Sequence, residues 1–136
     1  SKLFMNLREK LSLCYSIGSA YYGSKGIVTV SAGIDFDNEE LSRKEIAAQL
    51  EACCRGEITQ QELESAKMGI LSGLRAVYDG PGAMESYFST AALSGLERSP
   101  EQYAEEIRAV TLSEVVEAAE TVRFHSSFFL KGECHE

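Results

Sequence analysis

Apolar residues recur at helical spacing from the first positions of the chain. Ser1 suits an N-cap, and Leu3, Phe4, Leu7 and Leu11 fall on one face of a short amphipathic helix ending near Ser12. The period then changes to two. Leu13, Tyr15, Ile17, Ser19 and Tyr21 alternate with Cys14, Ser16, Gly18 and Ala20, which predicts a strand over residues 13–22. Gly23-Ser24-Lys25-Gly26 is a turn signal, and the β-branched run from Ile27 to Ile34 completes an antiparallel hairpin. A lone hairpin is marginal in water, so the pattern calls for a larger sheet.

A run of helices follows. Asp37 with Glu40 reads as a capping box that opens a helix through Leu41, Ile46, Ala47, Leu50, Cys53 and Cys54, with Gly56 as its stop. Thr59 with Glu62 is a second box, flanked by Ile58 and Leu63 at staple positions. That helix runs through Ala66, Ile70, Leu74 and Val77 to a break at Asp79-Gly80-Pro81-Gly82. A third helix over about residues 83–94 turns Met84, Tyr87, Phe88, Ala91 and Ala92 inward. Ser99-Pro100-Glu101-Gln102 supplies an N-cap, a Pro at N1 and a Gln at N3 for a helix carrying Tyr103, Ile107 and Val110. Thr111 with Glu114 opens another, through Val115, Val116, Ala119 and Val122. A last strand from Phe124 to Lys131 and a frayed tail over residues 132–136 close the chain. Hairpin, helices and returning strand make an α+β fold, an antiparallel sheet with helices packed on one face. No repeat or linker divides it, so residues 1–136 read as a single α+β domain segment. The absence of an initiator Met, with an opening directly on a helical turn, reads as a fragment of a larger domain and chain.

Composition narrows the function. With 136 residues, 44 % apolar and 25 % charged, the chain has room for one ordinary core. A net charge of −8 without a basic cluster repels a phosphate backbone, which argues against nucleic acid. The apolar runs fall far short of the roughly 20 residues of a membrane span, and no signal peptide is visible. Four cysteines, two of them the neighbours Cys53 and Cys54, do not form a disulfide framework, which favours a cytoplasmic home.

Self-contained catalytic motifs are missing. His125 and His135 belong to neither H-E-x-x-H nor H-x-x-E-H, the spacings that set two imidazoles one helical turn apart around zinc. His125 reads as an edge or packed histidine beside Phe124, and Cys134-His135-Glu136 as adjacent residues ill suited to close one tetrahedron. No Gly-rich phosphate loop stands between a strand and a helix, no nucleophilic triad can be assembled, and Cys14 and Cys54 lack an identified base.

The informative stretch is the opening: Ser1-Lys2-Leu3-Phe4, then Leu7-Arg8-Glu9, then Leu13-Cys14-Tyr15 with Ile17 two places on. Its spacing resembles the pitrilysin/insulinase family of zinc metallopeptidases, the inverzincins, in which a domain reads S-R-L-F, L-R-E and L-x-Y. The later order of elements is similar too. Lys25-Gly26 leads into a strand, the helix of residues 57–78 carries Glu62, Leu63, Ala66 and Lys67, and Val110-Thr111 precedes the closing Phe-Phe-Leu-Lys-Gly run, so the likeness covers nearly the whole chain. It implies the later part of a domain of the insulinase/processing-peptidase type, and specifically the C-terminal kind that lacks zinc ligands. In that family a homologous zinc-bearing peptidase domain or subunit is the partner, the second domain closes over a chamber holding peptide substrate, and zinc sits in the partner domain. An Arg and a Tyr seven positions apart reach the substrate there, and Arg8 and Tyr15 match them.

The chemistry of that pair is intelligible on its own. A guanidinium leaving a helix end and a phenol from the next strand are both donors, suited to a peptide carbonyl gaining negative charge. Bland readings stay open beside it: Arg8 paired with a neighbouring carboxylate on an exposed helix, and Tyr15 as one of several aromatics in the core. Function is likewise open between two classes. One is the non-catalytic C-terminal domain of a zinc-dependent peptidase, closing the chamber and helping bind peptide. The other is a peptidase-inactive homologue serving as partner subunit or assembly scaffold. An H-x-x-E-H upstream would discriminate them. An exposed sheet edge also implies self-association.

Overall fold

The computed structural model describes residues 2–96 and 98–132, so the Ser1 cap, the tail beyond Gly132 and the Cys134-His135-Glu136 group lie outside the described residues. Chain order is a π-helix (Phe4–Lys10), β1 (Cys14–Tyr22), β2 (Ile27–Ile34), a 3-10 turn (Phe36–Asn38), α1 (Glu39–Cys54) and α2 (Gln60–Ala76). A second 3-10 turn (Val77–Asp79), α3 (Pro81–Leu93), α4 (Pro100–Ala109) and α5 (Leu112–Thr121) complete it. This is the α+β fold expected.

Local chemistry accounts for most of the helix boundaries. The boxes at Thr59–Glu62, Ser99–Gln102 and Thr111–Glu114 are all formed, each side chain accepting from the backbone N–H that the helix start leaves unpaired. Gly56, at φ 72°, takes the left-handed conformation that stops α1. The Asp37–Glu40 box does not form. Asp37 is inside the 3-10 turn, where Asn38 N–H donates to Asp35 O at 3.0 Å, and α1 starts from Asn38 with no side-chain cap. An N-cap needs an extended backbone, and the tighter turn denies it.

The first helix departs from expectation in its winding. Leu11 N–H donates to Asn6 O at 3.1 Å and Leu13 N–H to Leu7 O at 2.8 Å, wider loops than the i to i−4 bonds of an α-helix. Tertiary contacts hold this shape. Leu7 is wholly buried, Asn6 Nδ2 donates to Gln49 Oε1 at 2.6 Å, and Lys2 Nζ donates to Glu57 O at 2.5 Å while standing 3.5 Å from Glu62. The π-helix is thus docked on α1 and on the connection into α2.

β1 and β2 pair antiparallel, from Ser16↔Gly33 to Tyr22↔Ile27, and with Cys14↔Ile34 at the base. The helices pack chiefly on one another, α1 against α5 and α2 against α4, while β1 meets the π-helix. Lys67 Nζ ties α2 to the end of α4 by donating to Arg108 O at 3.0 Å. In α3, Tyr87 and Ala91 are half-buried, whereas Met84 and Phe88 are exposed, so the inward face expected there is only partly covered.

The closing strand does not form: residues 122–132 have no regular secondary structure and no strand partner. A strand requires a neighbour, and the two-stranded sheet offers its edges elsewhere, since Phe129 meets Phe36 edge-to-face at 6.3 Å, beyond the end of β2. Phe128 and Leu130 are accordingly 94 % and 95 % exposed. The fold as a whole is open. It exposes 10100 Å², against about 7000 Å² for a compact monomer of this mass.

Two predictions follow from this packing. Residues 1–136 produced by themselves should self-associate through open edges and apolar faces; sedimentation giving a monomer throughout the micromolar range would contradict this. The second concerns acid. Thr59 N–H donates to Glu62 at 2.8 Å and Thr111 N–H to Glu114 at 2.7 Å, and these backbone bonds foremost hold both carboxyls below their ordinary 4.5. A carboxylate depressed on folding contributes stability that is full above its unfolded pKa and lost as pH falls through the folded one. Helicity by circular dichroism should hold down to about pH 5 and decline below it. Replacing both by Gln should flatten that decline, and an unchanged acid midpoint would refute the assignment.

Candidate functional site

The site is a corner between helix and strand. After Lys10 the chain turns through Ser12, whose φ of 50° is left-handed, a conformation uncommon for a residue with a Cβ. Leu13 and Cys14 are then both buried, although they are adjacent. A regular strand cannot bury two successive side chains on one face. Leu13 precedes β1, so that alternation begins only at Cys14, and it is broken at once: Cys14 faces Ile34 and Ser16 faces Gly33, so Tyr15 is an extra residue with no partner, a β-bulge. The bulge turns Tyr15 out of the alternation that the sequence predicts, and it is 69 % exposed. Tyr15 is not a core aromatic.

Arg8 and Tyr15 line one open cleft of about 380 Å³ together with Glu9, Ser12, Leu13, Cys14 and Asp35. The π-helix delivers Arg8 and the bulge delivers Tyr15. The Arg8 guanidinium lies 5.0 Å from the centre of the Phe4 ring, and its Nε is 3.9 Å from Glu9 Oε1 with both side chains about half exposed. That ion pair is too long and too wet to hold the arginine firmly, being worth at most a few tenths of a kcal/mol to about 1 kcal/mol. Arg8 therefore keeps donors for another acceptor. Among the described residues the Tyr15 hydroxyl makes no hydrogen bond.

Cys14 lies in the same cleft wall, but burial pushes its thiol above its ordinary value, with Arg8 pulling more weakly the other way. A buried thiol held protonated is a poor nucleophile. Cys53 is also raised, by burial first, against the pull of Lys2. His125 stands on the exposed segment after α5, with Nδ1 3.3 Å from Ser126 Oγ. Among the described residues no three His, Cys, Asp or Glu side chains gather as a metal site, so the donor set here does not fit zinc. No helix among them is long and apolar enough to cross a membrane.

Sequence reasoning missed Gly33. The ring of Tyr15 lies over it: a Cβ built there would overlap Tyr15 Cε2 and stand 2.6 Å from Cζ. A glycine inside a β-branched run, two residues before Asp35, was the available signal for a bulge or a close approach.

The segment is thus α+β with a polar cleft at its helix-to-strand corner and, among the described residues, no gathered metal ligands. Residues 1–70 match the family described as Peptidase M16 inactive domain. The chain is 30 % identical over 132 residues, 97 % of its length and 31 % of the relative's, to the "Probable inactive metalloprotease YmfF" of Bacillus subtilis (strain 168). It is 29 % identical over 130 residues, 93 % of the chain and 31 % of the relative, to an "Uncharacterized zinc protease" of Rickettsia bellii (strain RML369-C). Among solved structures, that of a conserved protein from Enterococcus faecalis V583 superposes with a TM-score of 0.79 at 32 % identity, over 88 % of this chain and 28 % of that one. The chain belongs to the peptidase M16 family, through its inactive domain, as the opening motif implied. It spans about a third of the length of the curated relatives it matches.

Burial at Cys14 yields a direct prediction. Alkylation of Cys14 by iodoacetamide near neutral pH, followed by peptide mapping, should be at least about tenfold slower in the folded protein than in urea. Equal rates would mean that the thiol is accessible and the corner looser than described.

Proposed function

We propose that this chain is the substrate-clamping, non-catalytic domain of an M16-type peptidase, working beside a homologous zinc-bearing domain or subunit. It closes over a bound peptide and presents Arg8 and Tyr15 to it. The observation that supports this reading is that Arg8 and Tyr15 line one open cleft, one from a π-helix and the other from a β-bulge. Such local irregularities recur where a fold must aim a side chain at a ligand.

The chemistry is hydrogen-bond donation. When a scissile carbonyl gains negative charge, a guanidinium fork and a phenol beside it stabilise that charge. Glu9 and Asp35 at the rim keep the cleft polar, and Phe4 supports the guanidinium from one side. Zinc belongs to the companion domain on this reading, and this chain's residues bind and orient.

The name of the Bacillus subtilis relative, a probable inactive metalloprotease, favours a second reading: a partner subunit or scaffold in an assembly whose peptidase activity, if any, resides in another chain. Elemental zinc in the full-length protein after a mild chelator wash separates the two. About one zinc per chain is expected where the zinc-bearing domain belongs to the same protein, and none where the protein is a partner subunit.

Tyr15→Phe keeps the ring and removes one hydroxyl. In the full-length protein it should lower kcat for peptide hydrolysis on the order of 10²- to 10³-fold, with thermal stability unchanged. An unaltered kcat would overturn the role of Tyr15.

A further inference from the structure

Gly33 sits at the end of β2, opposite the bulge, and its backbone is ordinary extended strand, so conformation does not demand a glycine there. Space does. A Cβ at this position would overlap Tyr15 Cε2 and come within 2.6 Å of Tyr15 Cζ and 2.8 Å of Ser16 Oγ. Carbon atoms rest about 3.5–4.0 Å apart, so the phenol would have to shift by about 1 Å or more. The backbone is anchored on either side, by Cys14↔Ile34 and by Ser16↔Gly33, whereas the ring is mostly in solvent and can give way. The conflict would be resolved by moving Tyr15, not by breaking the hairpin.

We propose that Gly33 is a positioning residue for Tyr15, its missing side chain forming the bed that holds the phenol in the cleft beside Arg8. This rests on the reading of Tyr15 as a donor to bound peptide. Together, bulge and glycine form one device: the bulge turns the ring out of the alternation, and the bare backbone opposite lets it lie flat at a fixed height. Displacement of a reacting group by about 1 Å can cost on the order of 10²-fold in rate, which is large enough to measure.

The test compares Gly33→Ala with Gly18→Ala in the full-length protein labelled with 3-fluorotyrosine. Gly18 is the matched control, on β1 of the same hairpin, where a Cβ meets nothing within 4 Å. The Tyr15 fluorine signal is assigned by its loss in Tyr15→Phe. Gly33→Ala should move that signal by more than its linewidth and lower kcat for peptide hydrolysis by about 10- to 100-fold. Gly18→Ala should do neither. Combined with Tyr15→Phe, Gly33→Ala should add no further loss of kcat, because the hydroxyl it mispositions is already gone. An unmoved Tyr15 signal in Gly33→Ala overturns the proposal, as does a fully additive loss in the combined variant. If Gly33→Ala fails to fold, Gly33→Ala with Tyr15→Ala should fold, since the obstructing ring is removed, and its failure would equally overturn positioning. If Tyr15→Phe alone leaves kcat unchanged, the donor reading falls while a moved fluorine signal still supports the bed beneath the ring.

Discussion

The burial of Leu7 is the contact on which the site depends. It seats a seven-residue π-helix against the helical layer, with Asn6 on Gln49 and Lys2 on the Glu57 carbonyl as polar fasteners to either side. A helix of that length has no stability of its own, because its few bonds cannot offset the cost of nucleation. Its shape is therefore imposed by what it docks on. The wide winding then sets where the chain leaves, Ser12 turns it through a left-handed conformation, and Leu13 and Cys14 enter the interior together. Bulge, exposed Tyr15 and half-exposed Arg8 are consequences of that sequence of events.

The helical layer is held mainly by local chemistry. Only a few side chains, such as Ala52, Leu63, Leu74, Val77 and Ala104, are buried in it, and the total exposed surface is far larger than a compact monomer of this mass keeps. Under such thin packing the three capping boxes matter in proportion, each typically contributing about 1 kcal/mol. Polar ties between elements add to this, Lys67 on the C-terminal end of α4 and Tyr78 Oη donating to Glu101 at 3.1 Å, while Arg98 reaches Glu106 and the ring of Tyr103 locally. The fold holds its helices in place and leaves its strands open.

What the sequence made legible follows that division. Thr59–Glu62, Ser99–Gln102 and Thr111–Glu114 could be read from four residues each, because a capping box is decided within one helical turn. Asp37–Glu40 matched the same pattern and failed, since the route from β2 into α1 passes through a tight turn that the pattern does not encode. The π-helix, the bulge and the unpaired run from Phe124 depend on neighbours distant in sequence, so periodicity could predict an element there but not its geometry. Arg8 and Tyr15 were legible from motif spacing alone; alternation by itself had put Tyr15 on a regular strand face. Gly33 carried its signal in plain view, a glycine among β-branched residues, and it becomes meaningful only beside the register that sets it against Tyr15.

The cleft pairs exposed polar groups with a buried thiol, and that bears on how such a domain can contribute. Arg8 and Tyr15 bring donors to the corner, Glu9 and Asp35 place carboxylates at its rim, and the thiol in its wall is buried and held protonated, so on the proposed reading the cleft offers donors to developing charge and no thiol to attack. On the proposed reading, division of labour between domains follows from this asymmetry. Groups that only stabilise are useful when they arrive with the peptide already engaged elsewhere, and their effect depends on how closely two bodies meet. A donor whose ring rests on bare glycine at an anchored stretch of backbone, not on a flexible ion pair, is suited to that duty on the proposed reading. Arg8, tethered only by a long contact to Glu9 and a ring contact to Phe4, can adjust its reach. On the proposed reading, one donor bedded on the strand and one held only by loose contacts let a single cleft engage a carbonyl while tolerating variation in the peptide around it.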